Sequence, residues 1–168
     1  MESPNYICDG SEQLIPAGEL PSPLVGAPEL KLLRTGGILI VAYYTDDGSD
    51  AQTREPGNIA ESGSEHDYAV VRFREYCLHL TPRGEVGRDK HPLTKHIGEG
   101  VFEVVPSPWI RQVDPPSGWS KFRRQETHWR HILFALHDDR LELICQIQAV
   151  AIHNGPIDLQ KLLVEGSI

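Results

Sequence analysis

Between His131 and Ile152 the chain reads HILFALHDDRLELICQIQAVAI, two alternating apolar stretches around Asp138-Asp139. A two-residue turn at these aspartates predicts a β-hairpin in which His137 pairs with Arg140, Leu136 with Leu141, Phe134 with Leu143 and Ile132 with Cys145. One face of that hairpin is almost wholly apolar and is expected to form the centre of the core. The other pairs Ala135 with Glu142, Leu133 with Ile144 and His131 with Gln146, a mixture that predicts partial cover. Burying Ile132, Phe134, Leu136, Leu141, Leu143 and Ile147 is worth roughly 9–18 kcal/mol gross at ~1.5–3 kcal/mol each, before conformational entropy is set against it.

The same pattern predicts further strands upstream. Ile38 to Tyr44, ILIVAYY, is a continuous apolar run opened by Gly36-Gly37 and reads as a central strand covered on both faces. In Tyr68 to Leu80, Val71 and Phe73 share one face, whereas further on the apolar face carries Tyr76, Leu78 and Leu80. That change of parity predicts a bulge near Arg74-Glu75. Val101 to Val105 is a short strand ended by Pro106.

Helical signals are few. Ser107 followed by Pro108 predicts a capped short helix to about Val113, stopped by Asp114-Pro115-Pro116. Asp158 predicts the cap of a terminal helix with Leu159, Leu162 and Leu163 on one face. Glu29 to Arg34 fits a helical turn or a short strand equally well. Together these elements predict an α+β fold, a mostly antiparallel sheet of four to five strands with short helices and a C-terminal helix. Residues 1–36 read as an irregular, Pro-rich, acidic arm. Residues 37–168 read as a single domain with a flexible acidic loop at 48–66.

Composition supports a soluble globular chain, with 39% hydrophobic and 24% charged residues over 168 positions. No stretch approaches the ~18 apolar residues of a membrane span, and the first residues carry no signal-peptide pattern, so a cytoplasmic location without membrane contact is expected. Cys8, Cys77 and Cys145 are too scattered for a disulfide framework and are expected to be reduced. The net charge of −8 is uneven. Residues 1–66 hold 11 acids against 3 bases, whereas residues 67–168 hold 13 of each. This distribution argues against general nucleic-acid binding, which needs a basic footprint able to neutralise several phosphates.

One basic cluster stands apart from the acidic background. Trp119 to His131, WSKFRRQETHWRH, interleaves Lys121, Arg123, Arg124 and Arg130 with Trp119, Phe122 and Trp129 and carries a net +3. Its plainest reading is a solvated loop whose aromatics plug the edge of the core. Arginine and tryptophan also favour interface anchors, and guanidinium forks suit carboxylates and phosphates. The expected binding residues are therefore Trp119, Lys121, Arg123, Arg124, Trp129 and Arg130, toward a protein partner or a small anionic ligand. A third reading is contact with the chain's own acidic amino-terminal part.

An alternative site draws on Cys77, His79, His131 and His137 as parts of a small enzyme or metalloprotein, with its groups gathered in a sheet cleft. Cys77 and His79 are two apart in a strand, ~6.7 Å along it. His128, His131 and His137 do not have the spacing of a zinc set. Asp138-Asp139 is explained by its turn. GxSxG, GxGxxG, HExxH and the phosphate-binding loop are all absent. No cofactor and no metal site is expected, oligomeric state is open, and the leading reading is a non-enzymatic binding domain.

Overall fold

A computed structural model describes residues 8–26, 30–46, 66–81, 93, 98–112, 129–136 and 140–165. The strands are β1 (Gln13–Pro16), β2 (Lys31–Thr35), β3 (Ile38–Tyr44), β4 (Asp67–Thr81), β5 (Gly100–Val105), β6 (Arg130–Ala135) and β7 (Arg140–Asn154). They form one sheet of order β1-β5-β6-β7-β4-β3-β2, antiparallel at every pairing. The helices are α1 (Pro108–Gln112) and α2 (Leu159–Glu165). The architecture is therefore nearly all-β. The expected α+β class with four to five strands is corrected by two strands, β1 and β2, and by how little helix there is. Both strands lie within the stretch read as an irregular arm. β1 is only four residues long and ends in Pro16, too short for alternation to be visible. β2 joins β3 through Gly36 and Gly37, whose φ values of 54° and 81° suit the tight turn of a two-residue hairpin.

The hairpin of β6 and β7 forms, but its register is shifted by two residues from the expected one. Arg140 lies opposite Ala135, Leu141 opposite Phe134, Leu143 opposite Ile132 and Cys145 opposite Arg130. The connection is thus longer than the expected two-residue turn; His137, Asp138 and Asp139 lie outside the described residues. A shift of two keeps every side chain on its predicted face, because the pleat repeats every two residues. Ile132, Phe134, Leu136, Leu141 and Leu143 are buried as expected, and Ile147 packs against them half-buried. The expected bulge is present, with the β4–β7 register shifting between Arg74 and Cys77. A second shift lies between Arg72 and Phe73, where Gln148 on β7 has no partner in the ladder.

The sheet is strongly curved. The Tyr43 ring on β3 meets Phe134 on β6 at 5.5 Å between centroids, although β4 and β7 lie between these strands. A flat sheet would hold β3 and β6 about 14 Å apart at ~4.8 Å per strand. The main core fills the concave side, with Leu39, Val41, Tyr43, Ala69, Val71, Phe73, Ile132, Phe134, Leu141 and Leu143 all at 1% exposure or less. Residues 17–24 run from one side of the sheet to the other. Ala17 N–H donates to Val101 on β5, and Leu24 N–H donates to Tyr44 on β3. On the way Pro21 accepts a hydrogen bond from the Tyr43 hydroxyl. On the other face α2 buries Leu162 in a smaller cluster with Ile40, Ala42, Tyr68 and Val70. Asp158 caps α2 as predicted, accepting from Gln160 and Lys161 N–H. No helix among the described residues is long and apolar enough to cross a membrane.

Candidate functional site

On the second face of the β6–β7 hairpin, where sequence predicts partial cover, Gln146 is half-buried but His131 and Glu142 are buried. His131 is 1% exposed and Glu142 is 3% exposed, beside Leu133 and Ile144. In the observed register His131 faces Ile144 and Glu142 faces Leu133, so the two are diagonal neighbours across the strands. His131 Nε2 and Glu142 Oε1 lie 3.1 Å apart. An ionised carboxylate only accepts, so the ring nitrogen donates there. On the ring's other side Nδ1 lies 3.0 Å from Ser107 Oγ, which in the neutral imidazole donates its hydroxyl proton.

Ser107 occupies this position because it is the helix cap that sequence predicted. Its Oγ accepts from Ile110 N–H at 2.9 Å, and Pro108 takes the first helical position, where no amide donor is required. Trp109, 7% exposed, sets its ring edge-on to His131 at 5.6 Å. Hydroxyl, imidazole and carboxylate are therefore in series beneath α1. The line ties the amino end of α1 to β6 and β7. In chemical terms it can hold one proton between His131 and Glu142 and polarise the Ser107 hydroxyl.

A second charged group lies on the opposite face of the sheet, since Arg130 and His131 are successive residues of β6. Arg130 pairs with Glu103 on β5 and with Glu19 of the amino-terminal segment. Partial burial lowers the Arg130 pKa and raises that of Glu103. Burial likewise raises the pKa of the Cys145 thiol, whose position in the ladder is opposite Arg130, with the guanidinium acting in the other direction. Of the three readings of the basic cluster, the contact with Glu19 realises the self-contact for this one residue.

Trp119, Lys121, Arg123 and Arg124 lie outside the described residues, as does His137. Trp129 is half-buried immediately before β6. In the ladder Cys77 stands opposite Ile144 and His79 opposite Glu142, so β7 separates Cys77 from His131 and His79 from Leu133. Among the described residues no group of three or more His, Cys, Asp or Glu side chains is placed to hold a metal ion.

Sequence reasoning missed Glu142 as the partner of His131 because the expected register placed them four residues out of line, about 13 Å along the strands. The signal available was that His131 and Glu142 share a hairpin face with apolar Leu133 and Ile144, which favours the register that lets the two polar groups meet. Comparison with protein-family models, with curated proteins and with solved structures gives no match.

Proposed function

We propose that the protein is a binding module whose contact region is the segment between α1 and β6, acting through Trp119, Lys121, Arg123, Arg124 and Trp129. Its partner is an acidic protein surface or a small anionic ligand. One observation carries this reading. The Ser107–His131 hydrogen bond joins the residue just before α1 to one inside β6, so the basic and aromatic cluster lies on a segment whose two ends are held together. Fixing the ends lowers the ordering cost that a partner must overcome. Arginine forks and tryptophan faces then supply charge-assisted bonds and apolar anchoring. Arg130 is set apart from this role, since its guanidinium engages Glu19 and Glu103.

The test is the triple variant Arg123→Ala, Arg124→Ala, Trp129→Ala, expressed in the native host. The reading predicts near-native circular dichroism and urea midpoint together with loss of the co-purifying species. A variant that unfolds would instead make the cluster core support.

A second reading rests on the Ser107–His131–Glu142 line itself, the order of groups that activates a serine nucleophile. Under it the Ser107 hydroxyl proton passes to Nδ1 as Oγ attacks an acyl carbonyl, while Glu142 holds the Nε2 proton. Two features favour the fastening role over this one. Ser107 Oγ already serves Ile110 N–H, and the imidazole is enclosed beside Trp109. A fluorophosphonate probe labels Ser107 if it is a nucleophile and leaves it unmodified if it is a fastener.

A further inference from the structure

β7 is longer than its neighbour. The β6 ladder covers Arg140 to Cys145, and among the described residues Gln146 to Asn154 pair with β4 alone. This leaves an open sheet edge reading QIQAVAIHN, without a Lys, Arg, Asp, Glu or Pro. Gln148 to Ile152 are all exposed, Val150 at 36% and Ile152 at 51%. Such an edge presents unpaired amide and carbonyl groups and is a template for another strand.

The outer edges of the sheet differ in the ways that discourage pairing. β1 is four residues long and contains Pro16, while β2 is five residues long and carries Lys31 and Arg34, both exposed. Short length, proline and edge cations are the usual protections of a monomeric edge. The open half of β7 has none of them.

We propose that this edge is a self-association surface, where β7 pairs antiparallel with β7 of a second copy across a two-fold axis at Ala151. Charge selects the second copy as occupant. The chain carries −8 overall, and a two-fold pairing sets like against like, so a self-pairing strand must itself be uncharged, as this one is. The axis at Ala151 is set by the apolar pair. It places Val150 opposite Ile152 of the second copy twice, on the face that Val71 and Ala69 share with the main core. Ala149 then faces His153, and Gln148 faces Asn154. The bend at Gly155–Pro156 ends the second strand before it reaches the start of β6.

Multi-angle light scattering on the full chain tests this, comparing wild type with Val150→Lys, Ile152→Lys. Wild type is expected at twice the chain mass and the variant at the chain mass with unchanged circular dichroism, since both positions are exposed. Antiparallel partners lie about 4.5–5.5 Å apart between Cα atoms, within disulfide range. In a Cys8→Ser, Cys77→Ser background, Ala151→Cys is therefore expected to give a disulfide-linked dimer on oxidation, whereas Val164→Cys, 74% exposed on α2, gives none. A monomeric wild type would overturn the proposal and leave the edge to the chain's own residues. A wild-type dimer that survives the lysines, or that fails to cross-link at Ala151, would overturn it in favour of a different face.

Discussion

His131 and Glu142 meet at 3.1 Å across the β6–β7 hairpin, each at most 3% exposed, on a face whose neighbours Leu133 and Ile144 are apolar. Their contact exists because the hairpin closes two residues out of the simplest register, which brings a cross-strand diagonal into line. Two polar groups in such a place stabilise the fold only together. Removing one takes a buried hydrogen-bond partner from the other.

His131→Ala is accordingly expected to cost about 3–5 kcal/mol, because it takes the imidazole donor away from the buried Glu142 carboxylate. The double variant His131→Phe, Glu142→Leu should recover most of that loss, since a packed apolar pair avoids the desolvation of both groups. Urea denaturation of the two variants measures the difference. A double variant as unstable as the single one would show that the pair is not what the site depends on.

Ser107→Ala removes the cap of α1 and one partner of His131. A cap contributes about 1 kcal/mol and the lost hydrogen bond to buried His131 about 1 kcal/mol more, so a loss of about 2 kcal/mol, with Ser107→Thr close to wild type, is the expected result. A loss several times larger would mean that the hydroxyl does more than cap α1 and bond His131.

Burial raises the Cys145 thiol pKa, and the sign of its pH effect follows. The folded state keeps the proton where the unfolded chain, with a thiol pKa of about 8.5, gives it up. Its contribution is complete below that pH and falls above it, by at most about 1.4 kcal/mol per pH unit. Cys145→Ala should flatten the decline in urea midpoint between about pH 8.5 and 10. Native protein should resist iodoacetamide at Cys145 over the same range, as peptide mapping would show.

Arg130 joins β6 to Glu19 of the amino-terminal segment, and Glu19 is 48% exposed. Exposed pairs contribute about 0–1 kcal/mol and weaken with salt. Added salt, or Arg130→Ala, should therefore speed proteolytic cleavage near Glu19 with little change in global stability. Identical cleavage rates at low and high salt would remove the pair from the account.

Phe134 closes the concave core, touching both Tyr43 and Phe73 edge-on. Phe134→Ala should cost about 3–5 kcal/mol, read from the urea midpoint.

Period-two alternation made the longer strands legible from sequence. The apolar run Ile38 to Tyr44 coincides with β3 at both ends, and the parity change between Phe73 and Tyr76 marks the bulge. Ser107 and Asp158 announced their helices through cap chemistry. What stayed hidden depended on tertiary partners. β1 is held by pairing with β5, not by its own pattern, and β2 had an ambiguous one. Curvature, which brings Tyr43 to Phe134, leaves no local trace. At the site, sequence singles out His131, but its partners Glu142 and Ser107 stand out only as a hairpin residue and a cap. Their meeting depends on register and on the docking of α1, and neither is a property of a short window.

The most direct test of the binding role is a native mass spectrum of the full chain purified gently from its own host, recorded at low and at high ionic strength. Additional mass beyond one or two copies of the chain, a polypeptide or a small anion, is expected at low salt and is lost at high salt. A spectrum showing only whole copies of the bare chain under both conditions would contradict it.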